Sequence, residues 1–261
     1  ALTFGNISKA AENDQGRYCE NGLYYEYNQS TDDYILVDAD PQLEAVIIPD
    51  TVAGKHVERM GYSVFQDNTR LKKVMFNKYI SVIKTNTFAN CTALEDVVLL
   101  DNINVVEEYA FLNCTSLKKM TFADGIYCIE KCAFYNAGLE KIQFSNDYIS
   151  IEILGHNLCN NCRRLRKIYV SGIKTIPENT FVSIPALKKL ILGKEVTKIE
   201  SDAITNCEKL HTLRFKTRKA MDWHPYEYGN KDVFKGCPKI KHVYMNRPKW
   251  ERKNPSADWL A

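Results

Sequence analysis

Glycine and proline are scarce in this chain, at 12 and 8 of 261 residues, which excludes a collagenous or low-complexity polymer. No apolar run approaches the ~18 residues of a membrane-spanning helix. The start, Ala1-Leu2-Thr3-Phe4, lacks the basic and apolar segments of a secretory leader. A processed secreted chain would start the same way, so the compartment stays open. Gly-rich phosphate loops and paired-carboxylate motifs are missing too. His56, His156, His211, His224 and His242 are not tied by spacing to any Cys that could act as a nucleophile. These absences point away from an enzyme, and no catalytic, cofactor-binding or metal-ligating residue is expected.

What the chain does contain is a repeat. Ile80, Ile83, Phe88, Cys91, Leu94, Val97 and Leu99 return as Ile103, Val106, Phe111, Cys114, Leu117, Met120 and Phe122, 23 residues on. Eight such copies can be laid from Val57 to Met245, and 54 of their 56 template positions are apolar or Cys, with Asn68 and Gly229 the misses. At 45% apolar content, chance would give about 25 matches, so the repeat is real. Units of this length cannot close a core alone; stacked, they bury one another.

Each unit carries Leu-x-x-Val-x-Leu, as in Leu94 to Leu99, whose alternation predicts a short strand. A second extended piece follows at Ile103 to Val106, then a compact helical or 3₁₀ turn around Ala110 to Cys114. Strands about 4.8 Å apart over seven steps predict a parallel sheet roughly 34 Å long. The expected fold is a leucine-rich-repeat solenoid: short parallel strands, 3₁₀ or helical turns, and a curved right-handed stack of about eight units. Residues 1–56 are expected to hold a capping hairpin and a partial first unit, 57–246 the solenoid, and 247–261 a C-terminal cap. The hairpin is placed at Leu23 to Tyr27 and Tyr34 to Val37.

The nine Cys fit this plan without a disulfide framework. Cys91, Cys114, Cys162, Cys207 and Cys237 share one template position, and Cys159 stands where the template has Phe. A buried thiol there acts as a small hydrophobe. Cys19, Cys128 and Cys132 lie off this column, Cys132 where other copies carry Thr87 or Tyr109, which are read as exposed. Asn90, Asn113, Asn161 and Asn206 precede column Cys residues and are read as buried amides that satisfy neighbouring backbone. Two of them match glycosylation acceptors, but the repeat already requires Asn there. Cys128/Cys132 and Cys159/Cys162 beside His156 have a metal-like spacing, yet the latter two are core positions, so no metal is expected.

Residues 103 to 122, reading Ile-Asn-Val-Val-Glu-Glu-Tyr-Ala-Phe-Leu-Asn-Cys-Thr-Ser-Leu-Lys-Lys-Met-Thr-Phe, resemble the BspA-like leucine-rich repeats. Val46 to Val57 is similar to that family's first unit, and Lys249 to Trp259 to its closing segment. The chain departs from the pattern at Asn68, Ala137 and Ile184 for Cys, and at Cys159 and Ile204 for Phe. The resemblance implies a repeat solenoid without enzyme activity. It also implies, as in many members, secretion or display on a bacterial surface, with adhesion in some.

Alternation along the strands predicts an outward column of Met75, Val98, Thr121, Gln143, Tyr169, Ile191, Arg214 and Tyr244. Beside it runs Lys73, Asp96, Lys119, Lys141, Lys167, Lys189, Thr212 and His242. An apolar and aromatic stripe next to lysines suits a protein interface. Two length changes add a second pointer: Phe144 to Ile151 takes seven steps and Phe215 to Tyr226 eleven, against four in most copies. The longer one holds Met221, Trp223, His224 and Tyr228, with Trp223 as the candidate anchor. A protein or glycan partner is therefore expected, bound by a monomer outside the cell or on its surface; the alternative is a structural spacer without a ligand. Nucleic acid is not expected: net charge is +3, and 4 basic and 11 acidic side chains in residues 1–60 oppose 12 and 4 in residues 211–253.

Overall fold

The computed structural model describes residues 11–12, 17–122, 125–144, 153–217 and 233–245. Strands recur where the template places them, and successive coils stack in parallel. The first ladder joins Ala45–Ile47, Lys73–Met75 and Asp96–Val98 in one sheet. It resumes in a second sheet of six strands, from Lys119–Thr121 through Lys141–Phe144, Lys167–Val170, Lys189–Leu192 and Thr212–Phe215 to His242–Met245. A second ladder stacks Val82–Ile83, Val105–Val106, Cys128–Ile129 and Ile153–Leu154, and further along Thr175–Ile176 pairs with Lys198–Ile199. Cys128, off the Cys column as expected, stands in this second ladder beside Val105 and is buried.

The turn around the template Phe departs from expectation: among the described residues there is no helix. Alternate N–H groups are used differently. Thr87, Ala89 and Cys91 donate within their own turn, whereas Asn86, Phe88 and Asn90 donate to Glu108, Ala110 and Leu112 of the next coil. Half the donors are committed between coils, so no helical ladder can form. Farther along, this column becomes paired strands, Phe181–Val182 with Ile204–Thr205.

Two corners per coil require left-handed backbone. Before the Cys position, Asn90, Asn113, Asn136 and Asn161 have φ of 63°, 58°, 54° and 61°. Asn tolerates this region better than most residues, which explains its recurrence. Its amide is half-buried rather than buried, and it bonds other side chains rather than backbone. Nδ2 of Asn90, Asn113, Asn136 and Asn161 donates to Oδ1 of Asp67, Asn90, Asn113 and Asn136, at 2.7, 2.7, 2.9 and 3.0 Å. The second corner falls two residues before the Phe position, at Asn86, Tyr109, Cys132 and Asn157. Cys132 therefore aligns with Asn86 and Tyr109. Thr87, one residue on, is fully buried, with its hydroxyl donating to Lys84 O at 2.6 Å.

Inside the coil the template side chains form continuous rows. Phe65, Phe88, Phe111 and Phe134 stack with ring centroids 5.3, 5.2 and 5.4 Å apart and nearly parallel planes. The column thiols do more than fill space. Sγ–H of Cys91, Cys114 and Cys162 donates to the carbonyl of Phe65, Phe88 and Phe134 in the preceding coil, at 2.9, 3.1 and 3.0 Å. Asn68, the first miss in the template, is likewise answered: its amide donates to Leu43 O and its Oδ1 accepts from Arg70 and Leu71 N–H. At the open end the hairpin Leu23–Asn28 with Asp33–Ala39 covers the core, and Asp33–Ala39 pairs in parallel with Lys55–Met60. Asp33 is buried there against the Arg59 guanidinium, 2.6 Å away.

All nine Cys are free, and only Cys19 and Cys132 are partly exposed. Burial pushes the Cys91 thiol up to about 12 and the Cys128 thiol up to about 11. Since the thiolate is the reactive form, iodoacetamide labelling of the native chain is expected to reach Cys19 first. Cys91, Cys114, Cys159 and Cys162 should react only after unfolding. Mass spectrometry of a labelling time course checks this; early modification of Cys114 would contradict the packing.

Candidate binding face

The outward column expected from alternation is a column in space. Its register runs Ile47, Met75, Val98 in the first sheet and Thr121, Gln143, Tyr169, Ile191, Arg214, Tyr244 in the second. Thr121, Gln143, Arg214 and Tyr244 are exposed, and Met75, Val98 and Tyr169 half-buried. Ile191 departs from expectation at 8% exposure. Its neighbours explain this. It sits in register between Tyr169 and Arg214, and Lys216 Nζ reaches across its strand to Tyr169 Oη at 3.1 Å. Ile47, at 52% exposure, extends the column one strand beyond its predicted start. The alternation of Val46 and Ile48 inward was the signal for it.

The aromatic rings in the column carry cations. Lys216 Nζ lies 4.5 Å from the Tyr169 ring centre, and the Arg214 guanidinium 5.1 Å from that of Tyr244. Such contacts hold long side chains in place when the ring is near water. The flanking column is also in register, through Lys73 and Asp96 and then Lys119, Lys141, Lys167, Lys189, Thr212 and His242. Leu100, two residues past Val98, is exposed, which keeps this end of the sheet apolar. Trp223, Met221, His224 and Tyr228, together with both inserted loops and the C-terminal lid, lie outside the described residues. Among the described residues no group of three or more His, Cys, Asp or Glu converges as a metal site would. Nor is any helix there long and apolar enough to cross a membrane.

A stacked β-solenoid with a register-matched outward face is a repeat scaffold. The model of the BspA type leucine rich repeat region (6 copies) matches residues 39–153 and 115–241. The chain belongs to that family. Among solved structures it is similar to a leucine-rich repeat protein from Bacteroides ovatus, at 14% identity over 86% of this chain and 75% of the other, TM-score 0.50. It is also similar to the pneumococcal vaccine antigen PcpA, at 17% identity over 80% of this chain and 44% of the other, TM-score 0.50. A third likeness is to the Treponema leucine rich repeat protein, T. pallidum TpLRR, at 19% identity over 87% and 80% of the two chains, TM-score 0.45. At these identities the likeness shows the fold alone. No curated protein matches the chain.

Proposed function

We propose that this chain is a non-enzymatic binding module, secreted or displayed on a cell surface, that takes a protein or glycan partner on the outward face of its first ladder. The observation that carries this reading is the outward column, register-matched from Met75 to Val98 in one sheet and from Thr121 to Tyr244 in the next. It sets half-buried apolar and aromatic groups beside cations on a rigid sheet. Rigid aromatic anchors with a polar margin are what a protein or glycan interface needs, and preorganisation lowers the cost of binding. Family membership supports the reading, since repeats of this type are binding or structural modules.

The test is an array of extracellular matrix proteins and glycans probed with the intact chain and with a Tyr169→Ala/Arg214→Ala double variant. Capture by the intact chain with at least tenfold weaker binding by the variant is expected. Equal binding by both would move the site off this column. Capture of nothing would favour a spacer.

A further inference from the structure

Just ahead of each strand in the second sheet lies one more position that stacks between coils. Backbone N–H groups of Glu140, Arg166, Lys188, His211 and Lys241 donate to the carbonyls of Lys118, Glu140, Arg166, Lys188 and His211. This column runs beside the one formed by Lys119, Lys141, Lys167, Lys189, Thr212 and His242. Of the twelve positions, eight are Lys or Arg and a single one, Glu140, carries a carboxylate. None of the eight basic side chains forms an ion pair among the described residues, and six of them are exposed. The first sheet is arranged otherwise: Lys72 meets Glu44 at 2.9 Å and Lys73 meets Asp96 at 3.1 Å. The change from neutralised to unneutralised lysines coincides with the break between the two sheets.

Like charges stacked directly opposite one another on a sheet are destabilising. Four lysines in one column, Lys119, Lys141, Lys167 and Lys189, therefore carry a repulsion that no ion pair among the described residues relieves. An external polyanion would offset it. Resting on the binding reading above, we infer that these two columns form a binding track for a linear sulfated polysaccharide lying along the stack. Strand spacing sets a cation about every 4.8 Å over the first four strands, roughly 14 Å, with Lys241 two strands further on, past His211 and Thr212. One sugar residue of an extended polysaccharide advances by a comparable distance, so over those four strands each sugar meets a fresh lysine. Nucleic acid fits less well. Phosphates on a duplex strand recur about every 3.4 Å, and single strands bind by stacking bases on open aromatic faces. Each aromatic ring beside this track, Tyr169 and Tyr244, already has a cation against it, Lys216 and Arg214. A narrow line of charge also suits a polymer better than a planar membrane.

The experiment measures binding of the intact chain to a fluorescent heparin oligosaccharide. Parallel arms use its desulfated form, single-stranded DNA and anionic phosphatidylserine vesicles. Heparin is expected to bind best, with affinity falling steeply as salt is raised and at least tenfold on desulfation. A Lys141→Gln/Lys167→Gln/Lys189→Gln variant is expected to bind at least tenfold more weakly while unfolding no earlier than the parent, since it relieves repulsion between the stacked lysines. A Lys78→Gln/Lys131→Gln/Lys198→Gln variant, which removes as much charge off the track, should bind like the parent. Equal losses in both variants, tighter binding to DNA or vesicles, or no heparin binding would each overturn the proposal. If heparin fails while the Tyr169/Arg214 variant abolishes capture of some other array component, the track alone is wrong. If nothing binds at all, the binding reading fails with it.

Discussion

Phe111→Ala is expected to lower the unfolding free energy by about 3–5 kcal/mol, the range for deleting a fully buried Phe. The ring has no exposure and lies between two others, 5.2 Å from Phe88 and 5.4 Å from Phe134. Each neighbour belongs to a different coil, so one deletion empties space on both sides. In a repeat stack, stability is close to a sum of units and nearest-neighbour interfaces. Removing this ring weakens two interfaces at once, near the middle of the described stack. Phe111→Leu, which keeps most of the volume, should lose less. Urea unfolding followed by circular dichroism checks the order. A loss under about 1 kcal/mol for the Ala variant would mean the rings do not share one core.

Gly138→Ala is expected to be nearly as damaging, for a reason that lies in the chain length. Cys114 to Leu117 takes three steps, but the next copy goes from Ala137 to Leu139 in two. The shortened turn pulls its backbone against the coil before it. A Cβ at Gly138 would sit 2.0 Å from the carbonyl oxygen and 2.7 Å from the carbonyl carbon of Thr115. Those atoms are backbone and cannot swing aside as a side chain would. Forced overpacking commonly costs about 1–3 kcal/mol, and a clash with fixed backbone belongs at or above the top of that range. Gly61→Ala serves as the control, because its nearest atom, Val37 Cα, would be 3.5 Å away. Denaturation midpoints for the two variants should differ clearly. A Gly138 variant as stable as the Gly61 variant would show that the two coils can part at little cost.

The rows of Phe, Cys and Leu were legible in the sequence because burial repeats with the coil, and a period survives substitution of single members. Corner geometry was not. Asn at a left-handed corner looks the same in a sequence as Asn chosen for its amide, and Tyr109 and Cys132 occupy the equivalent corner with no residue signal at all. The thiol donors were hidden likewise, since Cys91 packs as a small hydrophobe while its Sγ–H reaches Phe65 O. Outward columns within strands could be read from alternation, as Gln143 and Arg214 show. The column from Lys118 to Lys241 could not, because it precedes the strands, where alternation does not hold. Ile191 shows a further limit: its direction follows from alternation, but its burial depends on how Lys216 and Tyr169 lie over the sheet.

The central claim is that partners bind on the outward side of the first ladder, and lysine acetylation read by mass spectrometry tests it directly. The chain is treated with a limiting acylating reagent, alone and in complex with whichever array component it captures. The account predicts at least threefold slower modification of Lys119, Lys141, Lys167 and Lys189 in the complex, with Lys84, Lys131 and Lys198 beside the second ladder unchanged. Protection of Lys84, Lys131 and Lys198, with the first-ladder lysines reacting as in the free chain, would contradict it.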